Sequence, residues 1–275
     1  MPEPDRLALL IVKPDGVAQH LTRLISSWMR DHGYWLCGFR ELILSPEHQS
    51  LLRTNSQTGG PIDGELDAVI YTLGPVHALL LEQKNDRPPG KQTAAAELAE
   101  RLMGDVLPHR ARPGTLRRDF GALNPVFNLV HATDNTDTLD RDTRGLFDRP
   151  LAELLRPGAD TTFGIAQTPH LLRPFKLWST VAEVLTAWLG PEAVRPIDWP
   201  ADSHGPSRPA VGAALMACTR AAQRAGGETG ALLAGVLDGS TSYSHFTRLV
   251  PDTDPWPGYL TYTTLRHLAL SADTP

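Results

Sequence analysis

Six consecutive apolar residues, Leu7-Ala8-Leu9-Leu10-Ile11-Val12, run directly into Lys13-Pro14-Asp15-Gly16. No polar residue alternates within the run. That is the pattern of a strand covered on both faces, which needs neighbouring strands beside it and helices above and below. Pro14 cannot donate to a sheet ladder, so the strand ends there. The fold must therefore deliver a lysine to the end of a buried strand. Such a cation either meets an anionic group, with phosphate the natural candidate, or snorkels to the surface.

The next segments supply the cover. Val17, Leu21, Leu24, Ile25 and Trp28 fall on one face of a helix that stops near His32-Gly33, with Trp28 in the core. Tyr34 to Leu44 alternates loosely as a strand. Ser45-Pro46-Glu47 is a cap followed by proline at the first helical position, which predicts a helix to about Arg53. Thr54 to Gly64 reads as a glycine-rich loop. A strand over Val76 to Glu82, a turn over Asn85 to Gly90 and a helix over Thr93 to Gly104 follow. Gly90-Lys91-Gln92-Thr93 has the tail of a phosphate-binding loop, but Asn85 stands where that motif needs its first glycine, so the match is chance.

Chemistry concentrates between Pro113 and Phe147. Pro113-Gly114-Thr115-Leu116-Arg117-Arg118 is a basic loop, and Asn128-Leu129-Val130-His131 is a short run ending on a histidine. Guanidinium forks match phosphate oxygens, and neutral imidazole is a competent nucleophile near pH 7. An acid on the following helix, with Asp142 the candidate, would fix the tautomer. A lone histidine at a strand end is otherwise a half-buried residue with a satisfied hydrogen bond.

Lys13-Pro14-Asp15-Gly16-Val17, Gly74-Pro75-Val76, Pro113-Gly114-Thr115-Leu116-Arg117 and Asn128-Leu129-Val130-His131 occur in that order. Together they resemble the nucleoside diphosphate kinase family over about the first 150 residues. The resemblance implies a ferredoxin-like βαββαβ domain over 1–150, with a mainly helical accessory domain over 151–275. It implies transfer of a γ-phosphoryl group from ATP or GTP, with Mg2+, through a phosphohistidine at His131. Lys13, Arg117 and Asn128 would then contact nucleotide or phosphate. Asp142 takes the place of the glutamate that orients the imidazole, and Thr133 that of a serine. The resemblance also makes Asp67 to Leu73 a helix, although its β-branched content reads as a strand.

The chain departs from the family pattern in several places. No aromatic lies between Phe39 and Tyr71, where the family stacks the nucleotide base. Glu100 and Val106 replace an arginine and a threonine of the phosphate clamp; Arg101, one residue away, could substitute. The loop between Phe120 and Asn128 is one residue longer. These departures favour a specialised nucleotide or small-molecule acceptor. They also support a rival reading, a non-catalytic nucleotide-binding or assembly protein that keeps the fold. A third reading makes His131 a general base for direct transfer or hydrolysis.

The 275 residues, 41% hydrophobic and 21% charged, hold ample material for a globular core. A net charge of −5 and pI near 6.0 argue against general nucleic-acid binding. No segment reaches the roughly 20 apolar residues of a membrane span, and no leader is evident, so the cytoplasm is the expected location. Cys37 and Cys218 stand apart from any metal-ligand spacing, and no protein metal site is expected. A homo-oligomer is possible. Character changes over Asp148 to Thr162. Beyond it, helices are expected over Trp178 to Trp188, Ala210 to Ala225 and Gly230 to Leu237, and a loop over Ser240 to Pro257. Tyr259 to Leu270 fits either a helix or a strand.

Overall fold

The computed structural model describes residues 3–55, 68–84, 92–133, 136–155, 172–195, 199–201, 206–249 and 254–272. Contacts divide the chain into two compact units. Met1–Asp105, Arg112–Phe120 and Asn128–Arg173 form the first; Val106–Ala111, Gly121–Phe127 and Pro174–Pro275 form the second. The units are thus not two consecutive lengths of chain.

The first unit is built on a four-stranded antiparallel sheet. Its strands are β1 (Leu7–Val12), β2 (Tyr34–Leu42), β3 (Val76–Gln83) and β4 (Val130–Ala132), in the order β2-β3-β1-β4. All six residues of β1 are fully buried, as an uninterrupted apolar run requires. With the helices between them, these strands make the ferredoxin-like βαββαβ arrangement expected from the sequence. Strand β1 pairs with β3 over its whole length, from Leu7 opposite Glu82 to Val12 opposite His77. On its other side, Ile11 lies opposite His131.

The expected first helix is in fact two. Pro14 opens α1 (Pro14–Ala18) at its first position, where its missing N–H is harmless. His20, at φ 57°, breaks the chain before α2 (Thr22–Asp31). This break rotates the buried stripe onto Thr22, Ile25 and Met29. Leu24 is consequently exposed, and Trp28 is half-buried rather than core; it stacks on His32 and donates its indole N–H to Asp119 at 3.2 Å. Helix α3 (Pro46–Asn55) begins at the predicted cap, where Ser45 Oγ accepts from His48 N. Residues 68–70 are helical, as the family resemblance implied and the β-branched content did not. Thr93 caps α4 (Ala94–Glu97), which passes into a π-helical turn, Leu98–Leu102. Short α5 (Leu116–Asp119), then α6 (Thr136–Phe147) and α7 (Leu151–Leu154), complete the unit. Most of the expected loop over 54–64, the turn over 85–90, and Lys91 lie outside the described residues.

The second unit is mainly helical, as expected. It contains α8 (Leu177–Leu189), α9 (Pro191–Val194), α10 (Arg208–Ala225), α11 (Gly227–Asp238), α12 (Tyr243–Leu249) and α13 (Pro255–Ala272). Helix α13 packs against α8, α10 and α11, and Tyr259, Leu260 and Leu265 on it are fully buried. The loop expected over Ser240 to Pro257 is largely helical instead. Ser242 Oγ caps α12 by accepting from His245 N, and Phe246 anchors that helix with no exposure. Pro255 opens α13 rather than breaking it, with Asp254 accepting from Trp256 N at 3.2 Å.

Candidate functional site

Strand β1 ends by handing the chain to Lys13, whose backbone is extended and whose N–H donates to Leu129 O at 2.8 Å. The lysine is almost wholly buried, at 2% exposure, and its ammonium lies 5.4 Å from the centre of the Tyr71 ring. A buried ammonium is costly unless a counter-charge or an aromatic face meets it. Asp15, two residues on, supplies the charge. It is fully buried, and its Oδ2 accepts from Leu129 N at 3.0 Å. Burial pushes its pKa up to about 6, against the opposing pull of Lys13 and of the backbone N–H groups of Leu129, Asp15 and Gly16. Its Oδ1 has no hydrogen-bond partner.

Leu129 is bound at both ends of its peptide geometry to this turn, and it sits at φ 71°, a left-handed conformation unusual for a branched side chain. A Cβ on Gly16 would lie 3.0 Å from Leu129 O and 2.8 Å from Val12 Cγ1, so only glycine allows the turn to approach so closely. Two residues beyond Leu129, His131 stands on β4 opposite Ile11, half-buried, with its Nε2 shielded from solvent. Thr133 closes the strand by donating its N–H to Leu9 O; its hydroxyl is buried without a partner.

Arg117 reaches the same strand. Its guanidinium donates to Gly104 O at 2.9 Å and Val130 O at 3.3 Å, so part of its fork fixes backbone. The turn that carries it is tied by Thr115 Oγ1 donating to Arg112 O and by Asp119 accepting from Gly114 N. Asn128 is buried, one residue before Leu129. Asp142 is fully buried on α6, which packs on β1, and Arg141 donates two hydrogen bonds to its Oδ1. Arg101 is not drawn to this strand end in the same way. It is 60% exposed and forms an ion pair with Glu97, one turn back on its own helix. Glu100, exposed, accepts from Gln92. Val106 belongs to the helical unit.

Hydrogen bonds thus link Lys13 to Leu129 and Arg117 to Val130 where β1 ends and β4 begins; His131 follows on β4 opposite Ile11, and Thr133 bonds farther along, at Leu9. Reasoning from sequence passed over Asp15, Tyr71 and the strained Leu129. Asp15 had a signal: it is an acid two residues from a lysine that ends a buried strand. Leu129 had none. Among the described residues, no group of three or more histidine, cysteine or acidic side chains converges to hold a metal. A Mg2+ here would be held chiefly by nucleotide phosphate oxygens, which is the ordinary mode for that ion. Both thiols are inert, with burial pushing Cys37 and Cys218 up to about 12.

The sequence model of the nucleoside diphosphate kinase family matches residues 7–150. The chain belongs to that family. Among its curated relatives, a nucleoside diphosphate kinase of Halalkalibacterium halodurans is 32% identical over 139 residues, covering 50% of this chain and 86% of the relative. One from Ignicoccus hospitalis is 33% identical over 133 residues, covering 48% and 82%. The crystal structure of an NDP kinase from Pyrobaculum aerophilum covers 55% of this chain and 99% of its own, at 28% identity and a TM-score of 0.41. In a nucleoside diphosphate kinase frame, the four ordered motifs of this chain lie at the turn after β1, before β3, at α5 and on β4. Among the described residues no helix is long and apolar enough to cross a membrane.

Proposed function

We propose that this protein moves the γ-phosphoryl group of a nucleoside triphosphate to an acceptor through a phosphohistidine at His131. The supporting observation is that the backbone of the buried Lys13 bonds Leu129, two residues before His131, while the Arg117 guanidinium bonds Val130 O, next to His131 in the chain. The His131 imidazole attacks the γ-phosphorus, the bond to the β-phosphate oxygen breaks, and the nucleoside diphosphate leaves. In the second half-reaction the acceptor oxygen attacks phosphorus and His131 is regenerated. Lys13 and Arg117 neutralise phosphate oxygens. Asn128 contacts ribose or phosphate, and the Thr133 hydroxyl gains a partner in the loaded site. Asp142 orients the imidazole, directly or through water, since it is a methylene shorter than glutamate. Mg2+ bound to the donor phosphates supplies further charge neutralisation. The acceptor is a nucleoside diphosphate or a specialised small molecule. Self-association, where it occurs, would use the open edge of β2, which presents Trp35 at 47% exposure.

Incubation with γ-labelled ATP or GTP should label the protein with an acid-labile phosphate, and His131→Ala should stay unlabelled. Wild type that stays unlabelled with every nucleotide, yet binds one tightly, would establish the non-catalytic reading instead. Val106 favours that rival, because it cannot donate to phosphate and its segment is committed to the helical unit. Loss of γ-phosphate without a phosphoenzyme would make His131 a general base.

A further inference from the structure

The carboxylate of Asp15 is an odd group to bury. It has no exposure, one oxygen without a partner, and a position beside an ammonium that itself is 2% exposed. A residue retained only for folding would do better as an amide or an apolar side chain of similar volume. What the carboxylate does is specific. Its Oδ2 takes the N–H of Leu129, and a charged acceptor makes a shorter, stronger bond than a neutral one. The carbonyl of the same residue accepts the Lys13 N–H at 2.8 Å. Leu129 is held between them at φ 71°, a conformation that persists only when its surroundings over-determine it. The next two residues are Val130, whose carbonyl holds Arg117, and His131.

We propose that Asp15 is a positioning residue of the phosphoryl-transfer site: its ionised carboxylate locks the strained Leu129 and faces the buried Lys13, and so sets the register between that ammonium and the His131 ring. It touches neither nucleotide nor phosphorus. The inference rests on the reading of His131 as the phosphate carrier.

The fixed charge reaching Asp15 is Lys13. Strand β1, against which α1 packs, carries no titratable side chain. At this end of β3 the titratable group is His77, opposite Val12 and bonded to Thr22 and Glu41; on β4 it is His131. A pH profile of one protein would mix these groups with Asp15. The ratio of two proteins that share them does not.

The test compares wild type with Asp15→Asn, which keeps an acceptor for Leu129 N–H, removes the charge and puts an NH2 group in place of the other oxygen. Single-turnover formation of phosphohistidine from labelled ATP should slow about 100-fold, the scale of a small misplacement at a reacting centre. ATP affinity should move far less. The melting temperature at pH 8 should rise, since an unfavourable buried charge is gone. The ratio of wild-type to variant rate should shrink as pH falls through about 6, where wild type takes up the proton on Asp15. Asp15→Ser, a second neutral acceptor, should repeat the pattern if the asparagine variant does not fold. An unchanged rate overturns the proposal. A fall in rate and melting temperature together overturns it as well, because Asp15 is then an ordinary structural group. An unlabelled wild type defeats the phosphohistidine reading itself, a distinguishable result.

Discussion

Buried polar groups are treated differently in the two units. In the helical unit, Thr263 and Thr264 on α13 donate back to the carbonyls of Tyr259 and Leu260, and His267 Nδ1 lies 2.6 Å from Thr263 O. Asn124 uses its whole amide: it donates to both threonine hydroxyls and accepts from Val126 N and Phe127 N at 2.8 Å. These groups are satisfied within their own unit, as folding demands. In the first unit, by contrast, Asp15 Oδ1 is buried with no partner beside a buried lysine, and Thr133 Oγ1 is buried with none at the far end of β4. Unused polar capacity at Asp15 lies next to stored backbone strain at Leu129, a combination that points to chemistry as well as architecture. The helical unit is not free of such atoms, since Thr261 Oγ1 and Trp199 Nε1 are buried without a partner too, as are Gln83 Oε1 and Thr143 Oγ1 in the first unit.

The contrast breaks most directly at Lys13. Lys13→Ala should lower phosphohistidine formation about 100- to 1,000-fold, the usual loss when one preorganised group facing developing charge is removed. Circular dichroism would confirm retained structure. A variant that transfers phosphate normally would mean that the buried ammonium only balances Asp15.

Asn124 probes the other side. Asn124→Ala leaves two buried backbone N–H groups without their acceptor, at about 2 kcal/mol each, or about 4 kcal/mol together. The hydroxyls of Thr263 and Thr264 keep their own carbonyls, so they add little. Urea unfolding should show a lower midpoint with an unchanged slope. A loss below about 1 kcal/mol would erase the distinction between satisfied architecture and unsatisfied site.

How much of this could be read from the residues follows from range. The β1 run predicted its own burial because six apolar residues need no distant information. The motif order carried the βαββαβ arrangement. The exposed Leu24 and half-buried Trp28 were misjudged because a single left-handed residue, His20, shifts the helical phase by an amount no periodicity shows. Ser240 to Pro257 reads as a loop from sequence, and the start of the last helix within it was hidden because a proline that opens a helix and one that ends it look alike without the cap. The grouping of Val106–Ala111 and Gly121–Phe127 with the C-terminal helices was also invisible. In hindsight their sequence carried a mark: Val106 and the extra residue before Asn128 are two of the departures from the family pattern. Phe127, fully buried among Phe175, Trp256 and Tyr259, shows what those positions now serve.

The cost of the buried Asp15 carboxylate is measurable through pH. Asp15 titrates near 6 in the fold and near 3.8 as an ordinary carboxyl. A folded-state pKa above the unfolded one means that the folded protein holds the proton more tightly. The stabilisation is fully present below about pH 4 and is lost as pH rises through 6, a change of about 3 kcal/mol. Asp15→Asn lacks this dependence. Denaturation at pH 4, 6 and 8 should therefore show the variant matching wild type at low pH and gaining on it as pH rises. Parallel curves would mean that Asp15 is compensated after all.

Arg101 should give the smallest effect. It is the nearest cation to the lost clamp position at Glu100, yet it pairs with Glu97 at 60% exposure. An exposed pair of this spacing contributes about 0.3–0.5 kcal/mol, so Arg101→Ala should barely move stability. If the site works with the cations already joined to β4, transfer should also change by less than about threefold, a difference of roughly 0.7 kcal/mol in barrier. A loss near that of Lys13→Ala would show that Arg101 leaves Glu97 and swings onto phosphate when nucleotide binds. The boundary between satisfied surface and unsatisfied site would then move, because an exposed ion pair on a π-helical turn would belong to the chemistry.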